Sequence, residues 1–314
     1  MDADKFNEWQ LAQVGVAQNR YEKRFYKHIN SLGKDIAYYL ANARRIDNAS
    51  KQKIDGIIAE LISVSNTRYE DAISDFISDA ALLANYVAET ERLGLGAVSS
   101  PRDVAVIAAR TPITASGMSQ AEHMANLVAY NNKRLADTIR QNWALKTPIE
   151  DISALIIGTE KLRNSDGLMY KSKVAARSAI DTALHSTAMT AKAETWKAND
   201  VYRYRLVAAL DSRTSLYCQS IDGKVFTYGE AGARVPPFHY FCRTVIVPEL
   251  DKEFSWLSEG RTRSSMYGSV DGNLNYKQWA DMYAKELAEQ REKDRLKRNR
   301  DARRRAKQKR DNPA

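Results

Sequence analysis

Residues 202–248 read YRYRLVAALDSRTSLYCQSIDGKVFTYGEAGARVPPFHYFCRTVIVP. Three short runs within this stretch, at 202–207, 224–228 and 244–248, are rich in β-branched and aromatic residues. Runs of these residue types, separated by turn-forming residues, are typical of short strands. The stretch therefore predicts a small β-sheet, and it sets the fold class because most of the remaining sequence has a helical pattern.

Apolar residues outside this stretch recur at helical spacing. Residues 5–92 predict long helices, with Ile54, Ile58 and Leu61 on one face. Thr147 and Pro148 predict an N-cap followed by the first helical position. A Gly/Ser-rich stretch at 258–275 predicts a loop. Further helices are predicted at 101–110, from about 119 through Trp143, at 148–157, at 170–197 and at 276–310.

These elements predict an α+β protein that is predominantly α. We expect a long helical region at 1–167, suited to assembly or to docking on another protein by helix-in-groove packing. A small α+β domain follows at 168–250, made of one long helix and a sheet. Residues 251–314 are predicted to form a loop and a basic helical tail.

Composition limits the class of protein. Hydrophobic residues make up 44% of the chain and charged residues 28%, which is typical of a globular protein. No apolar run approaches the roughly 20 residues that span a bilayer, so we expect no membrane partner. The polar N-terminus shows no secretory signal. We therefore expect synthesis in a reducing cytoplasm, where free thiols or metal ligands are commoner than disulfides.

The segment 211–243 holds both cysteines of the chain and one of its four histidines. Three interpretations of Cys218, His239 and Cys242 remain open. They could bind a structural zinc ion, with Asp211 as a fourth ligand. They could instead be two partly buried cysteines acting as small hydrophobic residues and a histidine hydrogen-bonded in a turn made rigid by Pro236 and Pro237. The two thiols could also oxidise to a disulfide outside the cytoplasm.

A catalytic Cys–His pair is the less favoured chemistry for this segment. Cys242 adjoins Arg243 and follows His239 by three residues, so a base and a cation are at hand. No oxyanion-hole loop or additional acid can be identified beside them. We therefore predict no enzymatic activity.

The order and spacing of rare residues in this segment resemble the phage Mu F-like head morphogenesis family of minor capsid proteins. The resemblance covers about residues 168–248 and includes the Ala-rich helix before the sheet. The family's usual second cysteine after Cys242 is Thr244 here, which leaves one potential thiol fewer. The motif positions are Asp211, Arg213, Thr214, Cys218, Gly223, Pro236, Pro237, His239, Cys242 and Arg243.

The resemblance implies a structural role in a virion. Proteins of this kind are few-copy components near the portal that join procapsid assembly and stay inside the head. The implied partners are the portal protein and a major capsid or scaffolding protein. The implied location is the capsid interior, with the host cytoplasm as the place of assembly.

Positive charge is concentrated at the end of the chain. Residues 285–314 contain 13 Lys and Arg against 6 Asp and Glu, so they carry +7 of the net charge of +9 and leave +2 for residues 1–284. Such a cluster predicts salt-dependent binding to duplex DNA through phosphates. A solvated tail and an acidic protein partner are the alternatives. The predicted DNA-binding residues are Arg303, Arg304, Arg305, Lys307, Lys309 and Arg310.

Two other functions remain open from the sequence. One is a thiol- or zinc-dependent enzyme built on Cys218, His239 and Cys242. The other is a cytoplasmic nucleic-acid-binding protein with no role in a virion. We also predict that Arg213 and Arg243 pair with Asp211 and Asp222 to hold the loops of the small domain.

Overall fold

The protein is described by a computed structural model that covers residues 3–42, 50–97, 99, 101–249 and 260–311. At 3–14, 16–18, 41–42, 305 and 308–311 the description is limited to the backbone. The described residues contain nine α-helices and five strands. None of the helices in these ranges combines the length and apolarity that a bilayer crossing requires.

The helices of the first 197 residues confirm the predicted helical region. Their bounds are α1 Ala3–Asn42, α2 Lys51–Gly94, α3 Val104–Arg110, α4 Gln120–Ala144, α5 Ile149–Ile157 and α6 Leu168–Lys197. Ser50 caps α2 and Ser119 caps α4, each accepting the third backbone N–H of its helix. Pro148 is itself the N-cap of α5, so the helix begins at Ile149, one residue later than predicted.

The chain divides into two compact units. The larger unit is helical and comprises residues 9–195 and 235–242, and the smaller unit comprises residues 1–8, 196–234 and 243–314. In the larger unit the apolar stripe of α1 is buried at intervals of three or four residues, as expected for an amphipathic helix. Its members are Phe25, Ile29, Leu32, Ile36 and Leu40.

Helix α6 differs from the other long helices because its middle is buried on every side. All residues from Thr182 to Ala193 are buried, and most of them are small or hydroxylated. Lys192 lies among them, and its Nζ is 2.8 Å from Oε1 of Glu91 on α2. The two side chains are 4% and 6% exposed, so this is a buried ion pair between two helices.

The smaller unit contains the predicted sheet. Strands β1 (Arg203–Val207), β2 (Val225–Thr227) and β3 (Val245–Pro248) form an antiparallel sheet in the order β2-β1-β3. Tyr204 is opposite Phe226 on one side and Pro248 on the other. The six-residue helix α7 (Leu216–Ile221) lies in the connection between β1 and β2.

The end of the chain differs from the sequence prediction in two places. Residues 258–275 were predicted to be a loop, but β4 (Thr262–Ser265) and β5 (Gly268–Asp271) form an antiparallel hairpin there. The predicted single helix at 276–310 is two helices, α8 (Tyr276–Met282) and α9 (Ala284–Asp311). Asn275 starts α8 with a capping box to Gln278.

The hairpin and the two last helices share a small apolar core. Trp279 is fully buried, and the ring of Tyr267 is stacked 6.0 Å from it between centroids. This second core anchors the start of α9 through a buried leucine, and the residues of α9 that follow are mostly polar. The buried members are Leu210, Val270, Tyr276, Trp279 and Leu287.

Candidate functional site

The Asp211 carboxylate organises the loop between β1 and α7. Its Oδ1 accepts the backbone N–H of Arg213 at 3.0 Å, which is the hydrogen bond of an Asx turn. The Thr214 hydroxyl lies 3.0 Å from the same oxygen and 2.5 Å from the carbonyl oxygen of Ala209. Both guanidinium Nη atoms of Arg243 donate to the Asp211 carboxylate, one to each oxygen. The loop before α7 is therefore tied to the chain just ahead of β3.

These contacts determine the ionisation of Asp211. Burial alone raises the pKa of the Asp211 carboxyl, but the hydrogen bonds and charge of Arg243 outweigh it, with further help from Thr214 and the Arg213 N–H. The resulting pKa is about 2. Asp211 is therefore an anion at neutral pH, and both oxygens are used in the pair with Arg243, as predicted. Its proposed role as a fourth metal ligand does not fit this arrangement.

Asp222 is the most enclosed acid of the smaller unit. Its side chain is 0% exposed, and the Arg263 guanidinium donates to both of its oxygens, at 3.0 and 3.2 Å. The backbone N–H groups of Ala208 and Tyr276 donate to the same carboxylate at 2.6 and 2.5 Å. One carboxylate thus joins the end of β1, the β4–β5 hairpin and the start of α8.

The sequence predicts an arginine of the motif, Arg213 or Arg243, as the partner of Asp222 and does not single out Arg263. That assignment is wrong: the partner lies on β4, 41 residues away in the sequence. Nothing in the Gly/Ser-rich composition around Arg263 marks it as a structural residue.

The backbone conformation at position 223, directly after Asp222, favours glycine. Its φ is +80°, in the left-handed region that L side chains rarely adopt. A Cβ at this position would also lie 3.3 Å from Cβ of Asn275. The Gly223 N–H donates to the carbonyl oxygen of Leu206 at 2.8 Å, which fixes the turn beside β1.

The second half of the motif forms a tight turn. The peptide bond between Pro236 and Pro237 is cis. Nδ1 of His239 lies 2.9 Å from the carbonyl oxygen of Tyr240, and the Cys242 N–H donates to the carbonyl oxygen of His239 at 3.1 Å. Phe241 occupies the left-handed region with φ +57°. The turn therefore points His239 and Cys242 back toward the same side of the chain.

The three predicted metal ligands are the one candidate metal-binding group among the described residues. The two Sγ atoms of Cys218 and Cys242 and one ring nitrogen of His239 lie within 4.8 Å of one another. Both cysteines are buried thiols that form no disulfide, and His239 is half-buried. Two thiols and an imidazole are a donor set that zinc prefers. The zinc site itself stays a prediction.

The predicted DNA-binding residues lie on the last part of α9. The side chains of Arg303, Arg304 and Lys307 are exposed. Those of Arg305, Lys309 and Arg310 fall outside the described side chains, although their backbone is part of the helix. No aromatic residue occurs in α9, so the surface has no stacking platform for bases.

Comparison with known protein families supports the resemblance carried by the motif. Residues 119–247 match the family model described as Phage Mu protein F like protein. The match contains all ten motif residues and also includes α4 and α5, which precede the 168–248 range of the resemblance. No curated protein and no solved structure has a significant match to the chain.

Proposed function

We propose that this protein is a structural component of a phage head that acts in head morphogenesis. The match of residues 119–247 to the Phage Mu protein F like family is the observation that carries this proposal. In this role the protein joins the assembling procapsid near the portal and makes contact with the portal, the major capsid protein or a scaffolding protein. It remains inside the head when DNA is packaged.

The geometry of the smaller unit supports a structural role without catalysis. Asp211 and Asp222 each pair with an arginine and accept hydrogen bonds from backbone N–H groups, so neither is available as a general base. Such saturated carboxylates fix loop positions, which suits a protein that must present a rigid surface to assembly partners. These contacts favour a motif that organises the fold over one that forms a substrate pocket.

The contribution to assembly can be tested in the phage that encodes the chain. A phage lacking the protein should produce few DNA-filled heads, and supplying the intact chain in trans should restore them. Electron microscopy and counts of infectious particles measure both effects. A normal yield of filled heads without the protein would refute the proposed role.

We further propose that α9 contacts the packaged duplex DNA. Arg303, Arg304 and Lys307 are exposed on α9, and residues 285–314 of the sequence carry +7. Each phosphate that a cationic side chain neutralises releases counterions, so binding of this kind is independent of sequence and weakens with salt. The polyanion present in a filled head is duplex DNA, which fits this surface.

Deletion of residues 291–314 tests the DNA contact. The deletion removes no buried apolar side chain among the described residues, since Leu287 is retained and Leu296 is exposed. We expect the circular dichroism spectrum of the shortened protein to lose only the helical signal of the deleted residues. We also expect a sharp loss of duplex DNA binding at moderate salt. Equal binding by the intact and shortened proteins at low and moderate salt would overturn the DNA contact and leave the head-assembly role standing.

A further inference from the structure

An open groove lies within the smaller unit, between α9 and the loop that precedes α7. Its volume is about 760 Å³. At about 30 Å³ per water molecule in the liquid, the groove has room for a chain segment rather than a single ion. One wall is formed by the loop from Ser212 to Leu216, and the other by Arg291, Glu292, Arg295 and Arg298 of α9.

Three arginines line one face of α9 in this groove. Arg291, Arg295 and Arg298 are spaced four and three residues apart, so they project from the same side of the helix. At a rise of about 1.5 Å per residue they span about 10 Å along the axis. Phosphates on one DNA strand rise by about 3.4 Å each, so the three guanidinium groups cover the rise of about three phosphates.

The groove stays cationic after its own acid is counted. Glu292 is the acidic residue in its lining, and it accepts a hydrogen bond from Arg295 at 2.7 Å. The Arg295 side chain is 65% exposed, so this ion pair is weak in water and a phosphate can compete for the guanidinium. The neighbouring Asp294 accepts hydrogen bonds from Ser212 and Gln290. Three arginines against one lining carboxylate leave the groove with a charge of +2.

We propose that this groove binds the phosphodiester backbone of duplex DNA, with Arg295 and Arg298 as its principal phosphate ligands. Guanidinium groups donate two parallel hydrogen bonds to a phosphate, which an ammonium group cannot do. The inference rests on the proposed DNA contact and moves its main site from the end of α9 to its first half. The Arg291 guanidinium also interacts with the Tyr276 hydroxyl, so Arg291 supports the fold as well.

The test compares two full-length double variants of equal charge. Arg295→Gln with Arg298→Gln removes two cations from the groove. Lys297→Gln with Arg300→Gln removes two exposed cations from the opposite face of α9, since a turn contains about 3.6 residues. Binding to a random-sequence DNA duplex is measured across a range of salt concentrations for both variants, for the intact protein and for a protein lacking 303–314.

The groove predicts that only the first variant loses phosphate contacts. Its slope of log affinity against log salt should decrease by about two, or about one per phosphate contact, while the matched variant changes much less. If both variants bind DNA equally weakly, or if only the 303–314 deletion weakens DNA binding, the groove is not the phosphate-binding site. The contact between the tail and DNA would still stand. An intact protein that binds no DNA would instead refute the DNA contact on which the groove depends.

Discussion

At the scale of single residues, the carboxylate of Asp222 is the most consequential contact of the smaller unit. Its removal leaves the Arg263 guanidinium, which is 11% exposed, as a buried charge without its partner. We expect Asp222→Ala to reduce the free energy of unfolding by roughly 3–5 kcal/mol, measured by urea denaturation. The matched control is Asp281→Ala, whose ion pair with Lys277 is exposed on α8. The control should lose about 0.5 kcal/mol or less, and equal losses would contradict the structural role of Asp222.

The Asp211 carboxyl makes stability depend on pH in acid. Its pKa is about 2 in the folded protein, below the value of about 3.9 for an unfolded aspartate. Its contribution is therefore complete above about pH 4 and is lost as the pH falls toward 2. Because Arg243 is 41% exposed, we expect only about 1–2 kcal/mol from the pair.

The Asp211→Asn variant isolates this pH dependence. The difference in free energy of unfolding between the intact protein and the variant should be largest at pH 6 and should shrink as the pH is lowered to 3. Urea denaturation at both pH values gives the two differences. A difference that stays constant with pH would mean that the ionised form of Asp211 does not stabilise the fold.

The two thiols and the imidazole can be tested as metal ligands directly. Ligand atoms of a tetrahedral zinc site lie about 3.5 Å apart, which is within the 4.8 Å that bounds the three atoms here. We expect purified protein to contain about one zinc ion per chain, and a chelator to lower its melting temperature. Cys242→Ala should lose the metal. Retention of zinc by Cys242→Ala would rule out this ligand set.

Local chemistry explains which site residues the sequence could reveal. Asp211 and Arg243 belong to one motif of rare residues in a fixed order, so their pairing could be predicted. Arg263 could not be assigned, because its importance arises only when β4 lies beside Asp222, and no local pattern encodes that contact. The turn at Gly223, where φ is positive, could be predicted, because an Asp-Gly pair indicates a turn by itself.

At the scale of elements, the buried pair of Lys192 and Glu91 fixes the pairing of α6 with α2. Lys192→Met alone leaves a buried carboxylate without its cation, and we expect a loss of roughly 3–5 kcal/mol in the free energy of unfolding. Adding Glu91→Leu removes that charge, so the double variant should regain most of the loss. The control is Lys133→Met on α4, whose pair with Asp137 is exposed.

A double-mutant cycle reports the coupling between the two helices. Urea denaturation of both single variants and the double variant gives the interaction energy. If the double variant is as unstable as the sum of the single variants, then the ion pair does not link α6 to α2. The result concerns the larger unit alone, because both residues belong to it.

The helices and strands with the clearest sequence patterns are the ones that could be predicted. The long helices and the strands at 203–207, 225–227 and 245–248 were predictable because their apolar residues repeat with clear spacing. The hairpin at 262–271 was not, because Thr262-Arg263-Ser264-Ser265 lacks an apolar face and resembles a loop. Its strands are held by contacts to Trp279 and Asp222 instead.

At the scale of the whole molecule, charge separates the body from the tail. Residues 1–284 carry +2 and residues 285–314 carry +7, although both parts belong to one chain. A nearly neutral body suits contact with protein partners, and a basic helix suits contact with a polyanion. In the role we propose, the body acts during procapsid assembly and the basic helix acts after DNA entry.

This division predicts how the protein is distributed among particles. If the body directs assembly, the number of copies per particle should be the same in empty procapsids and DNA-filled heads, and deletion of 291–314 should not change it. If α9 contacts DNA, formaldehyde should crosslink the intact chain to DNA in filled heads far more than the shortened chain. Quantitative mass spectrometry and recovery of crosslinked DNA measure the two quantities. Copies found in filled heads alone would mean that DNA, and not the body, brings the protein into the particle.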